Sequence, residues 1–137
     1  MASFNKFEIF TEDLAKKVHN LHSDTLNLYL TNATPNLATH VVKTDLAEIS
    51  TGNGYTGPVD TQNSVSRSGG VTSVLGTDIV VTASGAVGPF RYAVLYNDTP
   101  TSPLDPLIGE WDYGSSISLA ASETFTVDFG SSLFTLT

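Results

Sequence analysis

The sequence predicts a mainly β protein: an antiparallel β-sandwich, jelly-roll-like, with one N-terminal amphipathic α-helix. Three observations point there. The segment 88–99 alternates between the breakers Gly88-Pro89 and Asn97-Asp98-Thr99-Pro100, with Phe90, Tyr92, Val94 and Tyr96 on one face and Arg91, Ala93 and Leu95 on the other. Short apolar runs follow at close intervals with turn residues between them, the spacing expected of sandwich strands. Near the N-terminus, Phe7, Phe10, Leu14, Val18 and Leu21 recur every three or four residues, which is the period of a helix with one buried stripe.

The elements follow in order. The helix is expected over about 5–20, with Glu8, Glu12, Asp13, Lys16 and Lys17 on its polar turns. The order acid before base suits the helix dipole, and Glu12 with Lys16 is an i,i+4 pair. Leu26, Leu28 and Leu30 alternate with Asn27, Tyr29 and Thr31 in a strand that stops at Asn32-Ala33-Thr34-Pro35. Val41-Val42 suggests a short strand, 46–49 is ambiguous between a helical turn and an edge strand, and 51–58 reads as loop. The segment 59–74 is Ser, Thr, Gly, Asn and Gln with isolated Val, the composition of a weakly specified edge strand or a polar arm. Strands are further expected at 78–84, buried on both sides or facing a partner, and at 108–113, 117–119, 124–129 and 133–137.

Composition narrows the function. The 137 residues fit one domain, 1–137, large enough for its own core. The chain has no cysteine, so disulfides, thiolate metal sites and a cysteine nucleophile are excluded. A charge of −8, from 6 basic against 14 acidic residues, disfavours a surface that tracks nucleic-acid phosphates. No apolar run is long enough to span a bilayer, and the first residues lack the pattern of a signal peptide. The expectation is a soluble protein made in a cytoplasm, with no membrane partner.

Each chemical motif has a plainer explanation beside it. His19 and His22 stand i,i+3 at the helix end and His40 can add a third ligand, but no fourth ligand follows at a metal spacing, so solvation and turn packing explain them. Glu110 and Asp112 flank Trp111 and, with Asp128, mimic a glycosidase pair near an aromatic platform; a solvated strand face opposite a buried Trp111 gives the same alternation. Asn97, Asp98 and Asp105 offer oxygens to calcium without the spacing of a known loop, and turn chemistry accounts for them. Gly52, Gly54 and Gly57 are not followed by the Lys-Ser/Thr of a phosphate loop. Arg91, between aromatics, is either an interface anchor or the internal partner of a carboxylate. Trp111, Tyr113 and Tyr55 beside acids also motivate a carbohydrate-binding module.

Several stretches together resemble a family of small virion proteins of tailed bacteriophages: Ala2-Ser3-Phe4-Asn5-Lys6-Phe7, Val18-His19-Asn20-Leu21, Ser23-Asp24-Thr25-Leu26, Gly52-Asn53-Gly54-Tyr55, the strand 88–99, Trp111-Asp112-Tyr113-Gly114-Ser115-Ser116 and Val127-Asp128-Phe129. The resemblance departs at His22, in place of a glycine, and in the short polar segment 59–74. It implies a structural, non-enzymatic role as a decoration or cement protein on the outer capsid surface, with a tail or head-to-tail component as the alternative. The implied partner is the major capsid protein, in virions made in a bacterial cytoplasm; the apolar helix stripe and the polar arm 59–74 separately suggest a dimer or trimer of this chain. The resemblance implies no catalytic residue, metal or cofactor. The candidate interface residues are Phe4, Phe7, Phe10, Arg91 and Tyr55.

Overall fold

Alternating side chains build most of the strands. In the computed structural model, which describes residues 2–137, a short strand β1 (Phe4–Lys6) leads into helix α1 (Glu8–Ala15) and strand β2 (Leu26–Thr31). A 3-10 turn at Lys43–Asp45 precedes β3 (Val59–Asp60), β4 (Ser64–Ser68), β5 (Val71–Leu75) and β6 (Ile79–Thr82). Two long strands, β7 (Val87–Asn97) and β8 (Leu107–Leu119), are followed by β9 (Thr124–Val127) and β10 (Phe134–Leu136). The central sheet has the order β1-β8-β7-β2-β3; smaller sheets β10-β5-β4 and β6-β9 accompany it, and every pairing is antiparallel. The chain is therefore mainly β with one helix. A jelly-roll winding is not confirmed by these orders, since β7 and β8 form one hairpin with β2 and β1 added to its two outer edges in the same sheet.

Both faces of the central sheet are covered. On one face Leu28, Leu30, Ala93, Leu95, Ile108 and Trp111 share a core with Val74, Ile79, Val81, Val127 and Phe134 of the smaller sheets, a sandwich-like arrangement. On the other, Phe7, Tyr29, Tyr92, Val94, Tyr96 and Leu107 lie with Leu46, Ile9 and Leu37. Phe90 does not join Tyr92 and Tyr96, as simple alternation predicts, but packs in the first core. The cause is a change of register: Phe90 opposes Ile117 while Tyr92 opposes Asp112, so β8 carries extra residues around Gly114, at φ 89°. Such a bulge inverts the faces of the β8 residues beyond it, and β7 breaks its own alternation across Arg91 where the register shifts.

The helix is shorter than its apolar period suggests, because tertiary pairing captures its first residues. Asn5 and Lys6 pair with Glu110 and Gly109 of β8, and the Phe7 N–H donates to Ile108 O at 3.0 Å. Phe7 thus enters the second cluster while Phe10 enters the first, and the single stripe is divided between two cores. Asp13, expected on the polar face, is buried, and burial raises its carboxyl pKa. The Glu12–Lys16 pair forms on the surface at 2.7 Å. At the C-terminal end, Lys17 N–H donates to Leu14 O and Val18 N–H to Asp13 O, with Lys17 at φ 65°. This is a Schellman motif with lysine where glycine is preferred. Lys17→Gly is expected to stabilise the domain by about 0.5–1 kcal/mol, read as a higher denaturation midpoint at unchanged m-value.

The polar segment 59–74 forms the edge strands β3 and β4 and most of β5, which is interior to its sheet with Val74 buried. Its start is fastened: buried Thr61 donates to Leu26 O, and the Asn63 amide donates to Leu21 O and Asp24 O while its oxygen accepts from Leu26 N–H. The β4–β5 hairpin then stands with β4 outermost. In β6, Ile79 and Val81 point inward while Val80 is 58% exposed, so of the two arrangements expected for this strand, burial on both faces is not the one that forms within the domain.

Candidate functional site

The acidic and aromatic residues around Trp111 are distributed by the alternation of β8. Trp111 faces the first core, edge-on to Phe4 at 5.2 Å and tilted against Phe129 at 5.4 Å. Beside it lies a cleft of about 250 Å³ lined by Ala2, Trp111, Tyr113, Thr126 and Asp128. Burial, with the Asp128 charge adding to it, pushes the Tyr113 pKa up to about 12. Glu110 and Asp112 oppose Val94 and Tyr92, on the other face. Contrary to the expected solvated face, Glu110 is buried: Oε1 accepts from Asn5 Nδ2 at 3.0 Å and Oε2 has no partner among the described residues. Burial raises its pKa, with a smaller push from Asp112. Asp128 follows β9 in the opposite layer, so the suggested pairing of Glu110 with Asp128 is not assembled.

Arg91 is the internal partner of a carboxylate. Its Nε and Nη2 donate to Asp112 Oδ1 and Oδ2 at 2.8 and 3.1 Å, and Gly114 N–H donates to the same Oδ1 at 2.7 Å. These bonds hold the Asp112 carboxyl below its usual range. The bidentate geometry ties the bulge of β8 to β7. Among the other interface candidates, Phe7, Phe10 and Tyr55 are 0%, 1% and 2% exposed. Phe4 stacks on Phe134 at 4.8 Å, so it too packs within the domain. Phe7, Phe10 and Tyr55 are thus taken up by the cores of the domain, as large apolar rings commonly are, while Phe4 stays half-buried.

The histidines do not converge. His40 Nδ1 accepts from Asn36 N–H at 3.0 Å, His22 sits exposed in the turn capped by Asn20, and His19 is buried against Phe10. Among the described residues, no group of three or more His, Asp or Glu is arranged to hold a metal. The Asp98 and Asp105 carboxyls lie beside one another, and Asn97 is turned to other partners. Asn97 Oδ1 accepts from Thr99 N–H, and Nδ2 reaches His19 Nδ1 at 3.0 Å and Asp24 Oδ2 at 2.8 Å.

That amide fixes the state of His19. It donates to both neighbours, so Nδ1 is the acceptor of a neutral ring, and burial holds the pKa down to about 4 against the opposing pull of Asp24. A base whose folded pKa lies below its unfolded value is protonated more readily in the unfolded chain. Stability is complete above the unfolded value near 6.5 and falls as pH drops toward 4, by up to about 2–3 kcal/mol. Asp13 and Glu110, with raised pKa values, act in the opposite sense, so the loss is read as the difference between urea titrations of the natural chain and a His19 variant across these pH values. His19→Asn, whose Oδ1 stands at the position of Nδ1, should remove it.

Sequence reading missed a second polar chain. Lys43 Nζ meets Glu48 Oε1 at 3.1 Å, Tyr55 Oη donates to Glu48 Oε2 at 2.7 Å, and Leu30 N–H donates to Tyr55 Oη at 3.1 Å. The same ammonium lies 4.9 Å above the Tyr29 ring. No local spacing announces this arrangement, because Leu30 and Tyr55 are separated by 25 residues. A further groove of about 450 Å³ runs between the helix end and the polar hairpin, past Leu14, Lys17, His22, Val65 and Thr72. Compared with known proteins, the chain matches no protein-family model, no curated protein and no solved structure.

Proposed function

We propose that this chain is a non-catalytic structural subunit of a tailed-bacteriophage virion, decorating or cementing the outer surface of the head against the major capsid protein. The observation that carries the reading is where the family-like stretches lie. The N-terminal Phe4-Asn5-Lys6, the strand 88–99, the run 111–116 and the stretch 127–129 come together as one frame: β1 pairs with β8, β8 with β7, and Phe4, Trp111 and Phe129 meet ring to ring. Residues of a resemblance that builds a scaffold support a load-bearing subunit. Charge favours the outside of the shell: a chain of −8 is repelled by densely packed phosphates within. Many copies of a modest contact add up to a large stabilisation of the shell.

The test is a virion lacking this chain. Heads are expected to assemble and fill, then to release DNA at lower temperature than complete virions, and cryo-microscopy should place the missing density on the capsid exterior. Full heads without tails, or labelled protein along the tail, would overturn the assignment in favour of a tail or head-to-tail component.

A further inference from the structure

We propose that two copies of this chain associate through their β4 strands, edge to edge about a two-fold axis at Ser66, joining two three-stranded sheets into one six-stranded sheet. The edge is open and regular. β4 pairs with β5 through five consecutive residues, Ser64 to Ser68, without a register shift, and the sheet order β10-β5-β4 leaves its other side unpaired among the described residues. An exposed strand edge of this kind presents backbone donors and acceptors to any second extended strand. The strand is lightly protected: it has no proline, no lysine and no bulge, its last three residues are exposed, and Arg67 is its one charge.

The occupant is identified by charge and by symmetry. Every copy carries −8, so association is least opposed where carboxylates are absent. Between Asp60 and Asp78 the chain has no acidic residue and its one charge is Arg67. The remaining edges are shorter or acid-flanked. β1, β3 and β10 have three, two and three residues, and the four-residue strands β6 and β9 follow Asp78 and Glu123 directly, with Asp128 immediately after β9. The segment Ser-Val-Ser-Arg-Ser also reads nearly the same in both directions. An antiparallel pair centred on Ser66 therefore places serine opposite serine and Val65 opposite the aliphatic stem of the partner's Arg67, with the two guanidiniums diagonal to one another. A slip that centres the axis on Arg67 instead opposes like charges, which is unfavourable. The contact is isologous and closes at two copies. Its size is that of a weak interface, with an expected Kd of about 10 µM to 1 mM. It does not depend on whether the chain is a virion subunit.

The absence of cysteine makes the register testable in the full-length protein. Sedimentation from about 10 µM to 1 mM should show a monomer–dimer equilibrium in that range. Ser66→Glu, which opposes two carboxylates at the axis, should weaken it about tenfold with unchanged thermal stability of the monomer. Under mild oxidation Ser66→Cys should form a disulfide dimer, because only residue 66 meets its own copy at a separation a disulfide can span. Ser68→Cys should not, whereas Ser64→Cys combined with Ser68→Cys should. A strict monomer at about 1 mM, a dimer indifferent to Ser66→Glu, or equal cross-linking of Ser66→Cys and Ser68→Cys would overturn the proposal.

Discussion

Replacing Trp111 with alanine is expected to destabilise the domain by about 3–5 kcal/mol, the range for deleting a large buried aromatic. The ring is only 6% exposed and holds three pieces of chain together: β8, on which it stands, β1 through Phe4, and the turn after β9 through Phe129. Loss of the indole leaves a cavity that β1, pairing at only three positions, is poorly placed to close. Against a typical total of about 5–15 kcal/mol for a domain, the change removes a large share. Urea unfolding measures it, and a difference below about 1 kcal/mol would show that the packing of β1 and β8 is not as described.

The second large effect is expected at Gly54, where alanine should cost about 3–4 kcal/mol from strain and overpacking combined. The residue has φ 100°, and a Cβ there would stand 2.0 Å from the carbonyl oxygen of Thr82. Neither side yields readily. Ser84 N–H donates to Asn53 O at 2.9 Å and Asn53 Nδ2 to Ala86 O at 2.9 Å, so the loop is fastened to the chain just beyond β6. Displacing it also pulls on Tyr55, whose hydroxyl joins Glu48 to Leu30. Gly52→Ala is the control: Gly52 has φ 120° but nothing lies within 4 Å of the added carbon, so only the backbone term remains, about 1–2 kcal/mol. Equal losses at both positions in the same unfolding experiment would contradict the close approach to Thr82.

The candidate site shows how much chemistry was legible. The separation of Glu110 and Asp112 from Trp111 follows from the two-residue period of a strand alone, and the structure has it so. Whether the acid face met water did not follow, because the cover comes from the helix start and the 32–46 connection, which local pattern does not place. Arg91 illustrates the same limit. Its two readings were equivalent in the sequence, and the pairing with Asp112, 21 residues away, depends on a bulge at Gly114 whose register a local pattern does not give.

The sequence by itself determined the class of the fold. The mainly β class, the single helix and the strands 26–31 and 88–97 rest on periodicity and turn residues, which act between neighbours in the chain. Tertiary structure alone decided where the helix begins, since pairing of Asn5 and Lys6 with β8 outweighs a helical period whose propensity is worth only tenths of a kcal/mol per residue. It also decided that Phe7 and Phe10 part into two cores and that Phe90 leaves its alternating partners. It made Phe10 and Tyr55 core residues and left the serine-rich β4 as an open edge. The physical reason is common to these cases: a local pattern records how apolar a residue is and on which face it falls, while burial is apportioned by the distant surfaces that compete to cover it.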